Sequence, residues 1–502
     1  MTIGRREIAL ALVVAVAFAG SAGAQEYRMR VETRAQAAAF RGVTLDSIPV
    51  ADTVGTPGEG PRTVDGYAVR CRAGAPYCSF FRPGPERRGG PVTTTADLTL
   101  WGLGVTGLSV RAAGRLGFDA GTADAWPGAE PAFQLLEGYA EYAVRRITAR
   151  LGRQVIVSRL GFTGFDGAGA IVRDAARGLE LQVYGGWGLA RGAAIPVTSP
   201  ALNPLDDFQP RARQLVAGAG GGWSAAAGDV RLEYQREVDP RSRSFVSERI
   251  GVDAAARPLA NVRIGVGADY DLAAGWWGSA EGSVSYVAPR WRATLLGRRY
   301  RPHFDLWTIW GAFSPVPYRS VQTSVAVAVI SRLEVRGRYE RYRFDDAEAD
   351  TPLLDVKRDG WRLGLGFTAR PAPQWTVDAG YEREYGPGAS AVGSSGTLTY
   401  EPTRRLRIAA LVSAIARPLE FRFNEAVVRV YGLDAQLAPS ERLRIGLTAQ
   451  RYHEEHERPD AAAFDWSQWR LSARVAIAFG TEIDVRGLPP AIRMLPGERS
   501  AR

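Results

Sequence analysis

Trp361-Arg-Leu-Gly-Leu-Gly-Phe-Thr-Ala-Arg370 decides how this chain folds. Trp361, Leu363, Leu365 and Phe367 fall on one face, and Arg362, Gly364, Gly366, Thr368 and Arg370 fall on the other. Side chains that alternate with period two leave a β-strand on opposite sides. The same alternation sets Val262, Ile264, Val266, Ala268 and Tyr270 against Arg263, Gly265, Gly267 and Asp269. It returns at Trp375/Val377/Ala379/Tyr381 against Thr376/Asp378/Gly380/Glu382, and at Leu443/Ile445/Leu447/Ala449 against Arg444/Gly446/Thr448/Gln450. Such segments follow one another from about residue 90 to residue 480.

A soluble β-sandwich also alternates apolar with polar, so the connections must choose between the two. Short turns fall near Pro258, Pro289, Ser331, Pro371, Pro402 and Pro439, about one strand pair apart. Between them lie longer connections such as 302–318, 343–360 and 452–465. Short turns at one end and long loops at the other are the pattern of an outer-membrane barrel. Tryptophans supply a second check. Trp291 and Trp375 follow short turns, while Trp276, Trp277, Trp361 and Trp466 follow long loops, as two interfacial girdles require.

Composition agrees. The 502 residues are 46% apolar and 10% aromatic, with a mean hydropathy of −0.15. That is too polar for a bundle of membrane helices and too aromatic for a disordered chain. Length alone would suggest about three soluble domains, but one barrel absorbs it. Glycine is abundant at 57 residues, the formal charge is +10, and Lys357 is the sole lysine among the cations.

Residues 1–24 have a basic start at Arg5 and Arg6, an apolar run from Ile8 to Ala19, and Ala22-Gly23-Ala24. This is the expected form of a secretory signal peptide cut before Gln25. Export to an oxidising compartment makes a disulfide between Cys71 and Cys78 the expected state. Residues 25–92 are then a first strand at 26–35 and a proline-rich segment braced by that disulfide. Gly66–Cys71 is the one strand-like run within 36–92. The segment reads either as a plug or cap over the lumen or as a long extracellular loop. Residues 93–480 form the barrel, and 481–502 form a periplasmic tail containing Pro489, Pro490 and Pro496.

The closing strand runs from Trp466 to Phe479, with Trp469, Leu471, Ala473, Val475, Ile477 and Phe479 on one face and Arg470, Ser472 and Arg474 on the other. It resembles the closing strand of the Gram-negative porin superfamily, whose terminal aromatic residue is read by the barrel assembly machinery. Here the tail follows Phe479, which is a departure from that pattern. The resemblance implies an all-β, transmembrane, antiparallel up-and-down barrel in the cell outer membrane, often a homotrimer, in contact with lipopolysaccharide. Counting back from Phe479 gives 21 strands, and the first strand makes 22; weak segments at 164–172 and 244–256 leave 18 or 20 open. A second, shorter resemblance joins Gly152-Arg153-Gln154 and Phe165-Asp166-Gly167 to a strand pair of porin-like and alginate-export-like barrels. It implies a substrate-contacting Arg153. Strict alternation puts Arg153 beside Leu151 and Val155 on the lipid side unless a bulge at Gly152 turns it.

The expected inward face carries Arg231, Arg263, Arg336, Arg338, Arg362, Arg407, Arg444 and Arg474 with Glu233, Asp269, Glu334 and Asp378. Arginines in a water-filled pore raise the local anion concentration; alternatively, each braces a carboxylate across neighbouring strands. The loop 303–318 is unusually apolar, and its Trp307 and Trp310 are candidate solute contacts. Loop 345–359 carries Asp345, Asp346, Glu348, Asp350 and Asp355, read as a solvated loop or as a cation site bridging lipopolysaccharide phosphates. His453-Glu-Glu-His456 has the wrong spacing for a zinc-protease helix and reads as loop. Neither a nucleophile elbow nor a phosphate-binding loop occurs, so no enzyme, cofactor, metal or nucleic-acid role is expected. The expected function is a porin-like channel for passive diffusion of small polar solutes, whether or not anionic. A substrate-specific alginate-export-like channel and a non-conducting structural or adhesive barrel are the alternatives.

Overall fold

A computed structural model of the chain describes residues 26–55, 61–121, 133–189, 214–240, 245–301, 317–345, 358–386, 389–416, 426–456 and 464–480. The strands in chain order begin with β1 (Glu26–Pro49), β2 (Val69–Cys71), β3 (Tyr77–Gly89), β4 (Pro91–Trp101), β5 (Leu108–Asp119) and β6 (Phe133–Val144). Next come β7 (Ile147–Ser158), β8 (Gly161–Asp174), β9 (Leu179–Gly188), β10 (Leu215–Ala225), β11 (Gly228–Val238) and β12 (Phe245–Leu259). These lead to β13 (Val262–Asp271), β14 (Trp276–Val287), β15 (Trp291–Tyr300), β16 (Tyr318–Ile330), β17 (Leu333–Phe344) and β18 (Asp359–Ala372). The last six are β19 (Trp375–Gly386), β20 (Ala389–Thr403), β21 (Leu406–Ala416), β22 (Ala426–Ser440), β23 (Leu443–His456) and β24 (Trp466–Gly480).

β1 pairs with β4 on one side and with β24 on the other, so β1 and β4 to β24 close into a 22-stranded antiparallel barrel. Closure leaves no barrel edge unpaired, which a hydrocarbon environment demands. Residues 164–172 and 244–256 belong to the full-length strands β8 and β12, so the count is 22. One rim is made of short connections such as 145–146, 226–227, 331–332 and 441–442, and the other carries 120–132, 189–214, 301–317, 345–358 and 457–465. We call these the turn rim and the loop rim.

Alternation sets the two faces. Leu181, Leu232, Val321, Leu365, Leu433 and Trp469 are among the many large apolar side chains left exposed on the outer face. Outward ring pairs Tyr286–Trp291 and Trp375–Tyr400 lie at the turn rim, with Tyr270–Trp277 and Trp361–Tyr385 at the loop rim. An apolar band between two aromatic girdles is what a lipid bilayer selects. No helix among the described residues is long and apolar enough to cross a membrane.

Two segments hold more strand than their sequence suggests. Residues 38–49 of β1 continue past the loop rim and pair with β3, which also pairs with β2, and Cys71 and Cys78 are disulfide-bonded there. This projecting ribbon has no lipid-facing side, so it shows no period. His453–His456 lies in β23, paired with Ala426–Arg429, rather than in a loop. Both of its faces are polar, which hides the alternation. The expected signal peptide and periplasmic tail, and the apolar loop with Trp307 and Trp310, lie outside the described residues.

Candidate functional site

The connection between β7 and β8 is only Arg159-Leu160, although it belongs to the loop rim. The two strands leave the wall before they reach it. β6 follows β7 only as far as Gly138↔Arg153, and β9 meets β8 only from Phe165↔Gly188. Past those points, β7 and β8 pair with each other through Ser158↔Gly161.

Glycine makes the crease. Gly152 has φ +129°, in the region that side chains avoid. A Cβ there would overlap the carbonyl oxygen of Gly138; one at Gly167 would overlap that of Gly185, and one at Gly186 that of Asp166. Backbones approach here more closely than any other residue allows. Arg153 staples the crease: its guanidinium donates to both carboxylate oxygens of Asp166, at 2.7 and 3.0 Å, and to the Leu135 carbonyl at 3.0 Å. The sequence reading of Arg153 as a solute contact therefore meets an arginine whose fork is already occupied by Asp166.

The tip folds inward past β9 and β10 to reach β11, β12 and β14. Arg159 is 10% exposed and donates to Asp253 at 2.6 Å, Glu281 at 3.3 Å and Ser279 Oγ at 3.0 Å, while its backbone N–H donates to Glu233 at 2.7 Å. Leu160 is buried against Gly251, and a Cβ on Gly267 would collide with the Arg159 guanidinium. The wall is bare where the tip lands, because only glycine leaves that space. Behind the tip, Thr163 and the Tyr184 hydroxyl both donate to Gln235 Oε1, at 2.8 and 3.1 Å, and Phe165 stacks on Tyr184 at 5.4 Å between ring centres. Phe165 and Gln235 are fully buried inside a barrel that otherwise has little core.

The inward face elsewhere divides into braced and unbraced arginines. Arg336 forms a bidentate pair with Asp378 at 2.8 and 3.0 Å, and Arg362 bridges Glu384 at 3.0 Å and Glu340 at 3.4 Å. Arg231 meets Glu233 at 2.6 Å, Arg407 meets Glu401 at 3.7 Å, and Arg474 meets Glu32 at 2.8 Å. Glu334 accepts from Arg292 at 2.8 Å, and Asp269 accepts from Ser279 Oγ at 3.2 Å. Among the described residues Arg263, Arg338 and Arg444 have no ion-pair partner within 4 Å. Arg338 also lines a cleft of about 540 Å³ with Arg292, Arg336, Ser324, Ser395 and Glu382.

His456 bonds to Glu454 at 2.5 Å and His453 to Glu455 at 2.9 Å, and no group of three or more metal-ligating side chains occurs among the described residues. The sequence reading missed Arg159, Leu160, Tyr184, Gln235, Asp253 and Glu281. The available signal was a two-residue connection on the long-loop side, preceded by Gly152 and facing Gly251 and Gly267.

No protein-family model matches the chain, and no curated protein matches it. Solved structures do. The ferric enterobactin receptor PfeA of Pseudomonas aeruginosa, in complex with enterobactin, superposes with a TM-score of 0.52 at 11% identity, covering 91% of this chain and 82% of the receptor. OccK3 of P. aeruginosa gives a TM-score of 0.36 at 10% identity over 91% of this chain and 96% of that one. OccAB3 of Acinetobacter baumannii gives 0.38 at 9% identity over 90% and 99%. The fold is a closed 22-stranded antiparallel β-barrel. The likeness extends to fold alone.

Proposed function

We propose that the chain is an outer-membrane channel, loop rim outward, through which small polar solutes diffuse past the infolded β7–β8 hairpin, anions being favoured. The observation that carries this is the infolding of the hairpin tip onto the inner wall, with Arg159 held between Asp253 and Glu281. A barrel of 22 strands is wide enough to need internal obstruction, and an obstruction tied to the wall by specific ion pairs suits a sized pore better than an inert scaffold. The braced arginines stiffen the interior. Arg263, Arg338 and Arg444, without an ion-pair partner among the described residues, supply the anion preference, since fixed cations raise local anion concentration.

In this reading the ribbon of β1 and β3 with its disulfide is a cap over the outer mouth. Arg41 donates to the Phe464 and Asp465 carbonyls and lies over Trp466, and the Tyr67 ring meets Phe464 at 6.2 Å, so the lobe rests on the β23–β24 connection. Phe479 at the end of β24 is the feature an assembly machinery would read. The test is reconstitution of the heat-modifiable protein in planar bilayers. Single-channel steps with an anion-directed reversal potential are expected, and a folded barrel that never conducts would refute the reading.

A further inference from the structure

The cleft of about 540 Å³ on the inner wall holds two opposite charges that do not meet. One register row crosses it: Ser324, Arg338, Gly364, Glu382 and Gly393 stand opposite one another on β16 to β20. All five alternate with outward apolar residues of their own strands, Val325, Tyr339, Leu365, Tyr381 and Leu398, so they face the lumen. Gly364 keeps the space between the charges open. A Cβ there would touch Arg338 Cβ at 3.7 Å and Glu382 Oε1 at 3.8 Å, so the carboxylate reaches over the glycine. Even so, among the described residues neither Arg338 nor Glu382 has an ion-pair partner within 4 Å.

The neighbouring row supplies the comparison. There Arg336 crosses the same strand over Gly366 and closes on Asp378 at 2.8 and 3.0 Å, and the Thr368 hydroxyl donates to the same carboxylate at 2.6 Å. The same three strands therefore hold one closed pair and one open pair.

We propose that the open pair is a binding site for a small zwitterion of the ω-amino acid class, its ammonium on Glu382 and its carboxylate on the Arg338 fork. Guanidinium forks suit carboxylate oxygens, and the Glu382 carboxylate accepts from an ammonium in the same way. A singly charged solute satisfies one of the two groups and leaves the other to water. The two residues stand two strand spacings apart, about 10 Å at the backbone, which favours charges set apart by a short chain over charges that share one carbon. Ser324 beside Arg338 and Ser395 diagonal to Glu382 line the same cleft and offer hydroxyls to the two ends of the ligand. Direct closure of Arg338 on Glu382 competes, but both side chains are exposed and such a pair is worth little.

This site rests on the channel reading above and names a solute class for it. Full-length, heat-modifiable protein in detergent is titrated with γ-aminobutyrate by ligand-observed NMR, which reads binding whether or not the barrel conducts. The wild-type protein should bind γ-aminobutyrate saturably, and butyrate, butylammonium and glycine at least about tenfold more weakly. Arg338→Gln and Glu382→Gln should each weaken γ-aminobutyrate binding at least about tenfold. The exchange Arg338→Glu/Glu382→Arg should restore it, because a zwitterion can turn end for end, whereas either reversal alone should not. Equal affinity for butyrate and γ-aminobutyrate, undiminished binding in both folded glutamine variants, or no recovery in a folded exchange variant overturns the zwitterion site. Planar-bilayer conductance of the same preparations reports the channel separately. A conducting wild-type protein that fails the titration loses the site and keeps the channel, and a folded protein that binds the zwitterion but never conducts loses the channel and keeps the site.

Discussion

Replacing Arg159 by alanine should loosen the constriction without unmaking the barrel. The substitution removes the ion pairs to Asp253 at 2.6 Å and Glu281 at 3.3 Å and the hydrogen bond to Ser279 at 3.0 Å. A charged hydrogen bond nets about 1.5–3 kcal/mol. Asp253 and Glu281 are 33% and 37% exposed, so pore water rehydrates them once the guanidinium is gone. The loss is therefore about 2–3 kcal/mol in total. That changes the ratio of pinned to released tip by roughly 30- to 150-fold. The Arg159 N–H to Glu233, Thr163 to Gln235 and the burial of Leu160 remain, so the tip fluctuates rather than swinging free. Single-channel recordings should show a higher mean conductance and new open-state noise, with Arg159→Lys intermediate because one ammonium cannot reach every partner of a fork. Gly267→Leu, which drives a side chain into the guanidinium, should reproduce the effect and add little in combination with Arg159→Ala. Conductance and noise identical to wild type in a heat-modifiable Arg159→Ala protein would refute the pinning argument.

The remaining expectations test other parts of the molecule. Arg263→Gln/Arg338→Gln/Arg444→Gln should cut the anion-to-cation permeability ratio at least about twofold, read from reversal potentials in a salt gradient, while Arg336→Gln, which uncovers Asp378, should shift selectivity toward cations by a different route. Gly152→Ala places a Cβ on the Gly138 carbonyl at φ +129° and should cost about 2 kcal/mol or more. Gly161→Ala, at φ +117° with open space around it, should cost less, and the temperature of the heat-modifiable gel shift orders the two. Replacing Cys71 and Cys78 by serine should lower the stability of the outer lobe by about 2 kcal/mol, as a short closed loop predicts. Limited proteolysis would then nick the lobe sooner while the gel shift of the barrel stays put, because the disulfide lies outside the 22-strand ladder.

Most of the wall was legible because lipid enforces a strict period. Wherever one face meets hydrocarbon and the other water, as in Trp361–Arg370, period two fixes the strand, its face and nearly its ends. Where that enforcement lapses, so did the reading. Residues 38–49 and 77–89 project past the loop rim as a ribbon, and Pro83 and Pro85 within β3 argue against a strand in any central position, yet β3 carries them in an exposed one. His453–His456 has polar residues on both faces of a strand end. The infolded tip failed for a different reason. Alternation assigns Gln154 and Ile156 to a face, but it does not say that the strand has left the wall.

Glycine reconciles these two regimes. An excess of glycine in a strand-rich chain looks at first like weak β-propensity tolerated by closure. Its distribution argues otherwise. Gly152, Gly167 and Gly186 lie where strands approach too closely for any Cβ, and Gly251 and Gly267 lie where a foreign tip must rest against the wall. The first group bends the hairpin inward and the second receives it, from strands nearly a hundred residues downstream. Neither group is useful without the other. A hairpin folded inward onto a wall of larger residues would be pushed off, and a bare wall with no tip to cover it would leave Asp253 and Glu281 without their arginine. The constriction is thus written twice in the sequence, once as a crease and once as a seat, and substitutions in the seat should change conductance as strongly as substitutions in the tip.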